Sequence, residues 1–230
     1  MLRRIVPIVM TVLLLTVTLF LKTDKATINV DSQSIVKQII VLDAGHGGFD
    51  GGAQGIDGTL EKDLNYSIVC KIAEFLRLGG FDVMLTRKGD ESLETNPDDT
   101  IGKRKVSDMK NRLQMINSYT DSVFVSIHQN KFSTSNVNGA QVFYSPNNDN
   151  SQILAEKIQS SLTRQLQTSN KRSIKRADKT IYLLNKAKNP AVLVECGFLS
   201  NKKELELLKT EEYQCKLAFT IYCGIIDYFG

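Results

Sequence analysis

The sequence predicts a single α/β domain, built on a six-stranded, mainly parallel or mixed sheet with helices on both faces. Three observations carry this. Past residue 37, strand-like apolar runs alternate with helical stretches of 15–20 residues, the pattern of a sheet covered by helices. Runs such as "IIVLD" and "AVLVECGF" are apolar almost throughout, as strands buried on both faces are. The chain has 230 residues, 42% of them hydrophobic. Setting aside an N-terminal segment leaves roughly 190–200, one domain of ordinary size with a real core. With only 4 prolines and no low-complexity or repeated stretch, wholesale disorder and solenoid architectures are excluded.

The chain opens with "MLRRIVPIVMTVLLLTVTLFLKTDK" (1–25). Arg3 and Arg4 precede 17 uncharged residues, Ile5–Leu21, the layout of a secretory signal peptide or a signal anchor. The run is short for a membrane span and long for a cleaved signal, and no A-x-A cleavage site follows. An uncleaved anchor fits better, and the arginines then place the remainder outside the membrane. A polar connector (26–37) leads to the main domain, 38–230.

Within that domain "KQIIVLD" reads as a buried strand, followed by the glycine-rich loop of "VLDAGHGGFDGGAQG" (41–55). Residues 60–80 form a helix through Leu64, Ile68, Ile72, Phe75 and Leu76, ended by Gly79 and Gly80. "FDVMLTR" is a second strand, 88–100 an acidic loop, 103–119 a helix, and "SVFVSIH" a third strand. A polar loop (129–139) precedes a fourth strand, "AQVFYS", and a helix over 150–167. A basic loop, "SNKRSIKRADK", precedes the short apolar segment "TIYLL", and "PAVLVECGF" is a further buried strand. One short and one long helix fill 201–229. Cys215 and Cys223 would lie on one helix about 12 Å apart, too far to bridge. With Cys70 and Cys196 they are expected to be buried free thiols.

Charge excludes one class of partner. Residues 1–37 carry a balance of +3 and the rest only +1, which is not the footprint of a nucleic-acid binder. The glycine loop is no dinucleotide or phosphate cradle either. "GHGGFDGG" lacks the G-x-G-x-x-G order opening into a helix, and no G-x-x-x-x-G-K-[ST] occurs.

The two histidines of the chain, His46 and His128, both stand where an apolar strand gives way to a polar loop. In a parallel sheet neighbouring strand ends face one crevice. Two imidazoles there suit zinc, whose catalytic sites take three protein ligands. Glu61, 15 residues after His46 at the start of a helix, is the best-placed third, ahead of Asp50, Asp57 and Asp63. Glu195 lies inside "PAVLVECGFLSN", where a carboxylate is costly without a partner; a water held at the metal would be one, with Glu195 its general base. A plain structural reading also stands: a turn-capping His46, a core His128 and Glu195 in a buried ion pair.

The motifs "VLDAGHGG", "LEKDLN", "SIHQN" and "PAVLVECGFLSN" resemble, in order, those of the zinc-dependent N-acetylmuramoyl-L-alanine amidases of bacterial cell wall, the third amidase family. The likeness covers about residues 38–229. It implies one zinc ion (Zn2+) per chain on His46, Glu61 and His128, with Glu195 catalytic. The anchor, the want of a wall-binding repeat and the basic loop entering "IYLL" resemble the family's germination-specific members from spore formers. That implies an extracytoplasmic enzyme at the forespore outer membrane and cortex space. It would free muramic acid from its stem peptide so that a muramic deacetylase can close muramic-δ-lactam.

Ala44 stands where the family often has proline. The 129–139 loop leaves no room for a plugging helix found in some relatives, so control is expected from outside the domain. Asp43 would orient a histidine or cap the loop. Asn130 would touch substrate or shape a turn. Lys175 or Arg176 would hold a stem-peptide carboxylate or simply be solvated. Two alternatives remain: an amidase poor in zinc until an exported activator protein orders the site, and a non-catalytic wall-binding module.

Overall fold

Six strands form one sheet in the computed structural model, which describes residues 37–230. The signal or anchor segment and nearly all of the connector lie outside the described residues. In chain order the elements are β1 (Ile39–Ala44), α1 (Glu61–Leu78), β2 (Asp82–Leu85), α2 (Ile101–Ser118), β3 (Ser122–Asn130), β4 (Gln141–Tyr144), α3 (Asn150–Gln165), β5 (Lys175–Arg176), α4 (Tyr182–Lys186), β6 (Ala191–Phe198), α5 (Lys202–Leu208) and α6 (Glu211–Phe229). The order across the sheet is β2-β1-β3-β6-β4-β5. β2, β1, β3 and β6 pair in parallel, while β4 runs antiparallel to β6. No helix among the described residues is long and apolar enough to cross a membrane.

Side chains alternate across a strand, and here the two sets meet different layers. Ile40, Leu42, Val123, Val125, Ile127, Val192 and Val194 enter the larger core, shared with α1, α3 and α6. Val41, Phe124, Ala191 and Leu193 enter a smaller one with Ile116 of α2 and Leu183 and Leu184 of α4. Two residues further along β1, β3 and β6, this second face continues as Asp43, Ser126 and Glu195, with His128 beyond Ser126. Polar groups therefore crowd one face of the carboxyl edge while the other face stays dry.

Three sequence expectations change. The stretch read as a basic loop holds the sixth strand, Lys175–Arg176, parallel to β4 at the far edge, and "TIYLL" turns from Tyr182 into α4, which buries Leu183 and Leu184 together. Gln129 and Asn130 belong to β3, which continues past His128 through a bulge; the loop that follows, 131–140, contains no helix. All four cysteines are free, but only Cys196 is buried; Cys215 is exposed and the other two are intermediate.

Candidate active site

The loop between β1 and α1 turns sharply at His46, whose φ of 65° is left-handed and costly for a side chain with a Cβ. Two contacts hold it. Arg112 Nη2 donates to the His46 carbonyl at 2.7 Å. The imidazole Nδ1 meets Asp50 Oδ2 at 2.8 Å. The glycines supply clearance: a Cβ at Gly45 would lie 2.2 Å from the His128 ring, and one at Gly52 would lie 2.6 Å from His46 and 2.7 Å from Glu61 Oε2. The loop is thus built around two imidazoles and a carboxylate.

Glu61 opens α1 and is 3% exposed. Its Oε2 accepts from the Ala53 amide at 2.8 Å and lies 3.2 Å from His46 Nε2. Its Oε1 accepts from the Gln129 amide at 3.1 Å and lies 2.9 Å from His128 Nδ1. The two rings are 5.0 Å apart, edge to face. One donor atom from each of His46, Glu61 and His128 falls within 4.8 Å of the others. Two imidazoles and one carboxylate are the donor set of a catalytic zinc site, and these residues fit it. With Nδ1 engaged by Asp50, His46 turns Nε2 toward Glu61, the orientation that a carboxylate–histidine–metal arrangement would need.

Without metal, protons hold the cluster together. Burial works against a charged His46, but hydrogen bonds to Asp50 and Glu61 outweigh it and raise its pKa to about 9. Burial likewise pushes Glu61 up, and the imidazoles of His128 and His46 overcome this, holding it well below the usual carboxylate range. The bond to His46 keeps Asp50 low too.

A raised folded-state pKa stabilises fully below the ordinary value of 6.5 and is lost as pH rises through about 9. The metal-free protein should therefore lose thermal stability between those limits. Metal uptake at pH 7 should release protons, measurable by calorimetry in buffers of differing ionisation enthalpy. Asp50→Asn should weaken metal binding about 10–100-fold, read by competition with a chelating dye.

Glu195 pairs across the ladder with His128 on one side and Gln141 on the other. Its Oε2 is buried with no hydrogen-bond partner. Burial, with Glu61 adding to it, raises its pKa to about 7 against the pull of His128, His46 and Arg172. It lines a cavity of about 330 Å³ together with His46, His128, Asp50, Lys105 and Tyr182. A carboxylate held uncharged or charged with nearly equal ease, next to three metal donors, is equipped to accept and return a proton.

Beneath the loop lies a buried ion network. Arg112 donates to Asp43 Oδ1 at 2.6 Å and to Asp108 Oδ2 at 2.8 Å, and Thr86 and Ser126 each donate to Asp43 at 2.6 Å. Asp43 thus makes no hydrogen bond to a histidine; the carboxylate that orients His46 is Asp50. Of the weaker ligand candidates, Asp57 pairs with Lys209 at 2.7 Å and Asp63 is exposed.

Asn130 sits at the bulge, its carbonyl accepting from Leu199 at 2.8 Å, and does not line the cavity. Lys175 and Arg176 are exposed on β5, two strands beyond β6. The cation of the basic loop nearest the chemistry is Arg172. It donates to Gln141, the ladder neighbour of Glu195, and covers the Phe198 ring at 5.1 Å. One signal in the sequence pointed to it, its place in a loop of five cations.

The sequence profile of the family described as N-acetylmuramoyl-L-alanine amidase matches residues 40–227. A germination-specific N-acetylmuramoyl-L-alanine amidase of Bacillus subtilis is 37% identical over 192 residues, 84% of this chain and 80% of the relative. Among solved structures, the CwlD amidase of Clostridioides difficile, in complex with the GerS lipoprotein, superposes with a TM-score of 0.81 at 43% identity, covering 84% of this chain and 98% of that one. The N-acetylmuramoyl-L-alanine amidase AmiC2 of Nostoc punctiforme superposes at 0.72 with 31% identity, over 84% and 97% of the chains. With nearly the whole described domain matched, the chain belongs to the N-acetylmuramoyl-L-alanine amidase family.

Proposed function

We propose that the protein is a zinc-dependent hydrolase of the amide between the muramic acid lactyl group and L-alanine of peptidoglycan. It acts outside the membrane, on spore cortex, as the first step of muramic-δ-lactam formation. A muramic deacetylase would follow it. The single observation that carries the chemistry is Glu195 Oε2, buried and unpartnered beside the donor triad.

His46 through Nε2, Glu61 and His128 would hold one zinc ion. Bound there, zinc supplies a Lewis acid that polarises the amide carbonyl and lowers the pKa of water toward neutrality. The remaining work falls to the protein. Glu195 takes the proton of the attacking water as the new C–O bond forms. It then returns that proton to the alanine nitrogen as the C–N bond breaks, leaving a lactyl carboxyl group and a free amino-terminal alanine. Asp50 keeps His46 in the tautomer that leaves Nε2 bare. Arg172, bonded to the ladder neighbour of Glu195, adds a positive charge near it that favours the carboxylate form.

The cortex assignment draws on the B. subtilis and C. difficile relatives. The complex of the latter with a lipoprotein supports a second reading, in which an exported partner is needed before the site fills with zinc. Both are tested by measuring zinc per purified chain and digesting cortex peptidoglycan with and without added zinc. Activity with zinc alone supports the first reading. Little bound zinc, with activity appearing only on adding a sporulation membrane extract, supports the second. Stoichiometric zinc without cleavage of any muropeptide supports a wall-binding module.

A further inference from the structure

α1 and α6 run side by side away from the site. Ser67 donates to Gln214 near their starts. Further along, Phe75 packs against Phe219 and Tyr222, with ring centroids 5.4 and 5.9 Å apart. Past the end of α1, Phe81 packs against Phe229, in the last turn of α6, at 5.3 Å. Glu61 and Leu78 are the two ends of one helix, about 26 Å apart at the α-helical rise. The aromatic pile therefore caps the end of the domain opposite the cavity. It is uncovered: Leu78 is 85% exposed, Phe219 46% and Phe229 37%. Large apolar groups gathered in the open mark a surface for an apolar partner.

Two facts select the partner. The described domain begins at this end, where Asp82, next to Phe81, donates its amide to the Gln38 carbonyl at 3.2 Å and pairs with Lys37 at 3.8 Å. The chain before it holds the uncharged run Ile5–Leu21. The nearby charges are balanced, Lys37 and Arg77 against Glu74 and Asp82, so the patch offers ring surface rather than net charge. Rings with polar tips, such as Tyr222 and Tyr228, settle at the level of lipid headgroups.

We propose that this aromatic end rests in the headgroup–acyl boundary of the membrane and turns the catalytic cavity outward, toward peptidoglycan. The orientation rests on reading residues 5–21 as an anchor.

The chain contains no tryptophan, so single-tryptophan variants report cleanly. Relatives whose solved chains are covered to 97–98% by 84% of this one show that the domain stands as a folded unit. Phe219→Trp, Phe229→Trp and, at the site end, Phe132→Trp are made in residues 37–230 and tethered through an N-terminal hexahistidine to nickel-chelating phosphatidylcholine vesicles. The first two should shift to the blue and lose emission to lipids brominated near the headgroup, at low and high salt alike, while Phe132→Trp stays unquenched. Absence of lipid quenching at positions 219 and 229 would overturn the proposal, as would quenching abolished by salt. A blue shift accompanied by a dimeric mass and no lipid quenching would overturn it in favour of a second copy. Flotation of the full chain with vesicles is read separately and bears only on the anchor.

Discussion

Glu195→Gln should lower amide hydrolysis by about 10²- to 10⁴-fold, the usual contribution of a positioned general base, with zinc per chain unchanged. Glutamine keeps the size and position of the side chain but cannot take a proton. The Glu195 side chain makes no hydrogen bond to His46, Glu61 or His128, so the donor triad should keep its affinity. The same residue should set the acid limb of the pH–rate profile. Burial holds its pKa at about 7 without metal, and a nearby cation can only draw it lower. Activity should therefore fall as pH drops through a value at or below 7, and the limb should vanish from the residual rate of Glu195→Gln. A variant retaining activity within a few-fold of wild type would remove Glu195 from the chemistry.

Arg112→Met should destabilise the domain by about 3–5 kcal/mol, the cost of removing one partner of a buried ion cluster. Arg112 and Asp43 are each 1% exposed, and the substitution strands Asp43 and Asp108 together. The pH dependence separates this from a packing defect. Burial alone would raise Asp43, but Arg112 and the Ser126 and Thr86 hydroxyls overcome it, bringing it from 3.8 to about 2. Wild-type stabilisation from this group is complete above the ordinary value and is lost as pH falls through about 2. Without Arg112, burial dominates, Asp43 prefers its proton, and the variant should recover part of its deficit as pH drops toward 4. Denaturant unfolding across that range reads both signs. Arg112 also fixes the His46 carbonyl, so zinc affinity should fall in the same variant.

Much of the site could be read from sequence because its residues are rare or misplaced there. Both histidines of the chain stand where an apolar run gives way to polar residues, and Glu195 interrupts an apolar run that would otherwise favour burial. What escaped was set by the course of the backbone. Asp43 could be read as orienting a histidine or as capping the loop. The left-handed turn at His46 instead presents Nδ1 to Asp50, and Asp43 is taken by Arg112.

The buried Arg112 gave no sign of itself, because it lies in a helix rich in charged residues. Among the cations of the basic loop, sequence could not rank Arg172 above Lys175 or Arg176. The ladder does so, because Gln141 stands opposite Glu195 and Arg172 reaches Gln141. "TIYLL" is too short for its period to be read, and burial of Leu183 and Leu184 on one side goes with its helix.

Mass spectrometry of muropeptides after digestion by the zinc-loaded protein tests the central claim most directly. The expected products are an intact disaccharide with a free lactyl carboxyl group and a stem peptide with a new amino-terminal L-alanine, both absent with Glu195→Gln. Cleaved glycan with the stem peptide still attached to muramic acid would contradict the assigned bond. Substrate left whole by protein carrying one zinc per chain, with or without a sporulation membrane extract, would contradict catalysis itself.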